Sequence, residues 1–328
     1  MFSEICGIKM DFHKHEALLL HLFLCITINC YLCDMKKLLT ILICLLTTHS
    51  AFAVERWAIV VGIGAYPADS GWRRINGDND IELIVPMLCN LGFPKAHIKT
   101  LANQDATKQH IRAAFYEYLI PKLKKGDVVY FHFSGHGQQI TDLDGDEENG
   151  YDEAMIPYDA KRKYDTNGYR GENHLVDDEL NDWLQDVRRK VGPGGKILVA
   201  LDACHSGGGS RDEEDDEAND HLSVRGTDDR FVMDPIPDNI APHLQRKVEW
   251  ICISACQSKQ SNYEYKAANG KKYGRLSWAL HKILTVDMVA NELGAAITRQ
   301  YQLLPPMPFP QDVHIEEIPT ELSNKTVL

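Results

Sequence analysis

The sequence predicts an α/β protein of three layers, a mainly parallel central sheet flanked by helices. Continuous apolar runs of strand length occur at 56–63, 127–133 and 196–203, helical periodicity fills the intervals, and glycine or small residues close the runs. Runs apolar on both faces mark buried parallel strands, and their alternation with helices is the pattern of crossover units. With 328 residues, 44% hydrophobic and 25% charged, the chain can bury a sizeable core. The net charge is -12 and the only dense run of one sign is acidic, which argues against nucleic acid and favours basic peptides or metal ions.

The first fifty-odd residues stand apart from this pattern. From Met35, two lysines precede an apolar run that ends at Ala51-Phe52-Ala53. That order is expected of a secretory signal peptide over 35–53, cut after Ala53, with Met35 as initiator and 1–34 a mis-called extension. Export, to a periplasm or outside the cell, follows. The competing reading makes 17–33 a membrane helix, but it is short for a span and carries His21 and Asn29. No later segment is apolar enough to span a bilayer. The processed chain keeps Cys89, Cys204, Cys252 and Cys256, too few for a disulfide framework and without a Cys-x-x-Cys pair for structural zinc.

Within the expected domain, 54–304, the elements come in order. The run 56–63 is the first buried strand. Residues 80–91 carry helical periodicity through Pro86, and 97–101 form a short second strand. An amphipathic helix at 108–123 leads to the third strand, 127–133, which ends at Ser134-Gly135-His136-Gly137. A polar loop over 138–174 precedes a helix beginning at Asp177-Asp178-Glu179-Leu180. Gly192-Pro193-Gly194-Gly195 turns the chain into strand 196–203, which ends at Cys204. After it come an acidic linker (211–229), a strand at 249–255 and a helical stretch at 276–303, and the Pro-rich tail, 305–328, is expected on the surface.

His136 and Cys204 therefore each sit at the carboxyl end of a buried strand, where ligands gather in open α/β sheets. If the strands are neighbours, imidazole and thiol face one another, and a His-paired thiolate attacks carbonyl carbon. Glycines around both residues let a substrate backbone approach and leave amides, those of Gly137 and Cys204, for an oxyanion. Each half alone has a plainer reading, a buried cysteine and a turn histidine. His205 points to the opposite face from Cys204, and His132 reads as core. Asp202, two residues before Cys204 on the same face, lies roughly 7 Å away and would favour Arg or Lys before the cleaved bond. The plainer role for Asp202 is to hydrogen-bond turn amides.

At these residues the sequence resembles the metacaspase and bacterial orthocaspase branch of the caspase-like cysteine peptidases. Ser134-Gly135-His136-Gly137 and Asp202-Ala203-Cys204-His205-Ser206-Gly207 resemble its two signature blocks. The first strand, the acidic loop 142–153, the Asp177-Asp178-Glu179-Leu180 helix start, Ser254-Ala255-Cys256-Gln257-Ser258 and Tyr273-Gly274-Arg275-Leu276-Ser277 agree in order, over roughly 57–285. The resemblance implies a caspase-like fold and a Cys204–His136 dyad. It also implies a specificity pocket with Asp202, Ser134 and an aspartate matching Asp80, for which Asp78 is the alternative. No cofactor is required. Calcium is a candidate, because many metacaspases bind it through scattered aspartates, which here match Asp152, Asp177, Asp178 and Asp212. An EF-hand over 142–153 is rejected, since Glu147 holds the glycine place. Helix capping is the bland alternative for Asp177 and Asp178. For a peptidase that prefers basic residues, Arg211, Arg225 and Arg230 around the acidic linker are candidate self-cleavage sites, as is 161–163. The expected partners are peptides or proteins with basic residues, and the expected state is a monomer. The rivals are a non-enzymatic module that keeps the fold as a binding platform, and a hydrolase of the same clan with other specificity.

Overall fold

In the strand Arg56–Gly62 (β1) the six residues after Arg56 are uncharged and apolar or small, leaving no face suited to water, and they are buried on both sides. Val128–Ser134 (β3) is likewise buried throughout, and Lys196–Asp202 (β7) is buried after Lys196. The structure, a computed structural model, describes residues 20–21, 54–145, 147, 149–204, 223–234, 248–316 and 318–328. Residues 54–328 form one compact unit. The expected signal peptide and extension lie outside the described residues, apart from 20–21.

Ile98–Ala102 (β2), Ile251–Ser254 (β8) and His314–Ile315 (β11) complete a six-stranded sheet in the order β11-β8-β7-β3-β1-β2. All pairs are parallel except β11 with β8. Side chains alternate across it. Trp57, Ile59, Val61, Val129, Phe131, Ile197 and Val199 pack on one face against Lys108–Ala113 (α2), which runs on into a π-helical stretch at Ala114–Leu119, and Asp177–Val191 (α3). Ala58, Val60, Tyr130, Leu198 and Ala200 pack on the other against Ile81–Asn90 (α1), Arg275–Ile283 (α4) and Ala290–Leu303 (α5). This is the expected three-layer, mainly parallel arrangement.

Three expectations change. The polar loop after β3 contains a hairpin, Gly137–Thr141 (β4) with Tyr151–Met155 (β5), extended by Leu175–Val176 (β6). The helical stretch at 276–303 is two helices, because the chain between them pairs Val289 with Thr326. The tail does not lie loose on the surface. It supplies β11, and Val327 and Leu328 are buried in the core with residues of α5. A small hairpin, Glu264–Lys266 (β9) and Lys272–Gly274 (β10), closes the region before α4.

Candidate active site

β1, β3 and β7 lie side by side with their carboxyl ends level, Ser134 opposite Asp202 and Gly62 opposite Ser134. The chain leaves β1 for β2 on one side and later adds β3 on the other, so a topological switch point opens a crevice at these ends. The residues just beyond them converge there: the loop after β1, His136 after β3, Cys204 after β7.

His136 is buried, stacked on Trp72 with ring centroids 4.8 Å apart and tilted against Tyr66 at 5.1 Å. Its Nε2 lies 2.9 Å from the Arg73 carbonyl oxygen, and its Nδ1 is buried without a hydrogen-bond partner. A carbonyl can only accept, so Nε2 carries the hydrogen and Nδ1 carries the lone pair. Burial pushes the imidazole pKa down to about 3, with Arg225 adding to the effect and the Arg73 carbonyl opposing it. The ring is therefore a neutral, oriented base. Sequence reasoning found no group that orients it, since a backbone carbonyl leaves no mark in residue identity.

Cys204 is also buried; its Sγ donates to the Gln260 carbonyl at 2.8 Å, and Cys256 Sγ reaches the same oxygen at 3.3 Å. None of the four described cysteines is in a disulfide. The Cys204 backbone amide donates to the carbonyl oxygen of Arg225 at 2.9 Å. Gly137 opens β4 opposite Met155.

Arg225 enters a pocket of acids with no exposure of its own. Its Nη1 donates to Asp80 at 2.7 Å and to Ser134 Oγ at 2.6 Å, and lies 3.4 Å from Asp202 Oδ1. Asp202 is braced by Asn262 Nδ2 at 2.8 Å, and by the Ser277 amide and hydroxyl at 2.7 and 2.6 Å. Asp80 accepts from the Gly274 amide at 3.0 Å and from the Ser134 hydroxyl. Burial works to raise both acids. In Asp202, Arg225 and the bonds from Asn262 and Ser277 outweigh it and hold the carboxyl below its usual range. In Asp80 burial wins, helped by Asp202, and the carboxyl is pushed up to about 6. Asp78 does not join this pocket; it meets Asn103 at 3.1 Å and Arg74 at 3.7 Å. Of the two alternatives read from the sequence, Asp80 is therefore the one in contact with Arg225. His132 is core, as expected, linking Tyr130 to Ser277.

The segment that carries Arg225 runs as an added strand. The Arg225 amide donates to the Asn262 carbonyl at 2.9 Å, Val224 bridges Tyr263 antiparallel, and the Glu264 amide donates to the Ser223 carbonyl at 3.0 Å. Gly226 comes directly against Cys204: a Cβ there would lie 2.5 Å from the Cys204 carbonyl oxygen and 3.0 Å from its Cβ. A cleft lined by Trp72, Arg73, His136, Arg162, Gly226 and Thr227 continues beyond. Arg162 there holds Thr227 Oγ1 and Asp229, both at 2.9 Å, and Phe231 pairs with β4. Arg230 lies at the surface over the Tyr151 ring. Arg211, Asp212 and His205 are outside the described residues.

A second acidic concentration lies near β5 and the start of α3. Carboxylate oxygens of Asp142, Asp144 and Asp152 lie within 4.8 Å of one another. Asp177 Oδ1 is buried without a hydrogen-bond partner, and its carboxyl is pushed well up by burial, then by Asp178, Glu153 and Asp152. Crowded oxygen donors of this kind fit a hard divalent cation. Of the three clustered aspartates only Asp152 belongs to the set read from the sequence, while Asp142 and Asp144 come from the loop rejected as an EF-hand.

Comparison with known proteins points the same way. A family model described as the caspase domain of peptidase C14 matches residues 55–320. Metacaspase-1A of Aspergillus oryzae is 32% identical over 166 residues, covering 48% of this chain and 36% of that protein. Metacaspase-1 of Botryotinia fuckeliana is 40% identical over 160 residues, covering 47% and 35%. The aligned part thus spans little more than a third of those relatives' own length. Protein GSU0716 of Geobacter sulfurreducens superposes with a TM-score of 0.54 over 83% of this chain and 98% of its own at 22% identity, a likeness of fold.

Proposed function

This chain belongs to the caspase-domain family of peptidases, and from that premise we propose that it is a cysteine endopeptidase that cuts after Arg or Lys and first cuts itself between Arg225 and Gly226. One observation carries the reading. The chain's own Arg225 lies in the acidic pocket as a substrate residue would, its amide and carbonyl engaged and its carbonyl oxygen on the Cys204 amide. In the proposed reaction Cys204 Sγ adds to the Arg225 carbonyl carbon, and His136 Nδ1 takes the thiol proton. The developing oxyanion sits on the Cys204 amide, with the Gly137 amide as second donor. Collapse expels the Gly226 amine, which receives the proton from His136. Water, deprotonated by the same nitrogen, then hydrolyses the thioester and restores the thiol. Asp202, Asp80 and Ser134 hold the cation that precedes the cut bond.

Calcium, where bound, would be held by Asp152 with Asp177 and Asp178, and would supply the positive charge those crowded carboxylates lack. Export after removal of 35–53 is part of the same proposal, with basic-residue peptides or proteins as substrates.

The test is mass analysis of the purified chain together with hydrolysis of an arginyl-coumarin peptide. A new amino terminus at Gly226 and arginyl turnover, both abolished by Cys204→Ala, are expected. Turnover that survives Cys204→Ala, or cleavage confined to aspartyl bonds, would overturn the reading. A folded chain with no cleavage at all leaves the non-enzymatic platform.

A further inference from the structure

The acids around Arg225 do not all do the same work. Asp80, Ser134 and Asp202 converge on a single nitrogen, Nη1. Three groups aimed at one point would receive a lysine ammonium as readily as one end of a guanidinium. Glu264 meets the group from the side. Its Oε1 accepts from Nε at 3.2 Å and lies 3.1 Å from Nη2, two atoms that lysine does not possess.

Glu264 is at the same time buried and fixed. Its side chain is 1% exposed. Its two oxygens accept from the Asn76 amide at 2.7 Å and from Asn76 Nδ2 at 2.6 Å, which ties the first residue of β9 to the loop after β1. A carboxylate pinned in this way cannot turn to track a shorter cation. On the other side, Gly274 brings β10 so near that a Cβ would overlap the Asp202 carboxylate and Nη1, so the pocket wall stands close along the guanidinium. With lysine in the pocket, Glu264 keeps its bonds to Asn76 but loses its cation, and a buried charge without its counter-ion is costly.

We propose that Glu264 sets the choice between the two basic residues, so that the pocket takes arginine over lysine. The proposal rests on the reading of this pocket as the place for the residue before the cut, and it adds the residue that reads that side chain's shape. Its expected size is a preference of at least about tenfold, the usual worth of a charge-assisted hydrogen bond.

The experiment separates recognition from turnover. In the full chain carrying Cys204→Ala and Arg225→Ala, which removes both the thiol and the resident arginine, calorimetry compares acetyl-arginine amide with acetyl-lysine amide. Arginine should bind at least tenfold more tightly. Adding Glu264→Gln should bring the ratio to threefold or less, chiefly through loss of arginine affinity, and Glu264→Asp should fall between. Equal affinities with Glu264 present, a ratio unmoved by Glu264→Gln, or no binding of either amide would overturn the proposal. A variant that merely unfolds loses both amides together, and Glu264→Asp then decides. Retained selectivity without arginyl turnover in the unmodified chain would sink the peptidase reading and leave this one standing.

Discussion

At the residue scale, the base of the proposed reaction needs a free lone pair on a fixed ring, and His136 meets both conditions through neighbours that carry no conspicuous chemistry. The Arg73 carbonyl fixes the tautomer and the Trp72 and Tyr66 rings fix the plane. The placing of His136 and Cys204 at neighbouring strand ends was legible in the sequence, because each comes after an apolar strand and stands among small residues. Arg73, Gln260 and Glu264 were not: two act through backbone oxygens, and the third lies far along the chain from Cys204. Two of the site's groups set its pH dependence. His136, pushed down to about 3 by burial, stays neutral at pH 5, where an imidazole of ordinary pKa would be only about 3% neutral. Asp80, pushed up to about 6, is ionised above that pH and gains a proton as pH falls through it, weakening its hold on Arg225. Self-cleavage monitored from pH 8 to 5 should thus decline below about 6, by no more than about tenfold per pH unit. Asp80→Asn should cut more slowly but with a flat acid side. A decline centred near 6.5 that persists in Asp80→Asn would mean that His136 titrates as a solvated ring.

The element that defines the site is the added strand around Arg225, and its fit depends on the small residue at its end, Gly226. Strand pairing of 223–225 with 262–264 sets the depth of Arg225, and the chain then turns across Cys204 at a residue without a side chain. A methyl group on Gly226 would press on backbone atoms of Cys204, which cannot swing away as a flexible side chain would. Gly226→Ala should therefore slow self-cleavage by about tenfold to a hundredfold, since a misplacement near 1 Å can cost about a hundredfold in rate. Once the variant chain has been cut, hydrolysis of an arginyl-coumarin peptide, which brings its own leaving group, should match that of the cut parent. Unchanged self-cleavage in Gly226→Ala would show that the segment is cut in some other pose. The buried strands were legible because a parallel sheet needs apolar residues on both faces. The β4–β5 hairpin was not, because its strands are short and polar, and nothing local marks the tail as a sheet edge. Arg225 was one of three arginines equal in sequence; of the two among the described residues, Arg225 is buried against Asp80 and Asp202 and Arg230 lies at the surface.

At the scale of the whole molecule, substrate and enzyme are one chain in the proposed first reaction, and this would fix the kinetic order of that cut. Arg225 has no exposed surface, its amide and carbonyl are engaged, and the chain beyond it is tied down by Arg162 and by pairing of Phe231 with β4. Such a segment is already at its own nucleophile and is closed to a neighbour's. Held in place, it also denies the acidic pocket to any other peptide. The first cut should be unimolecular: its rate constant, measured by gel densitometry, should stay constant within about twofold over a hundredfold range of protein concentration, as expected when positioning replaces encounter. A Cys204→Ala chain mixed with active enzyme should remain whole at Arg225 over the time in which the active chain cuts itself. Hydrolysis of an added arginyl peptide should show a lag that ends as Gly226 termini accumulate. A first cut that accelerates with concentration, or ready cleavage of the Cys204→Ala chain in trans, would mean that the buried pose is left before reaction and that cutting occurs between molecules.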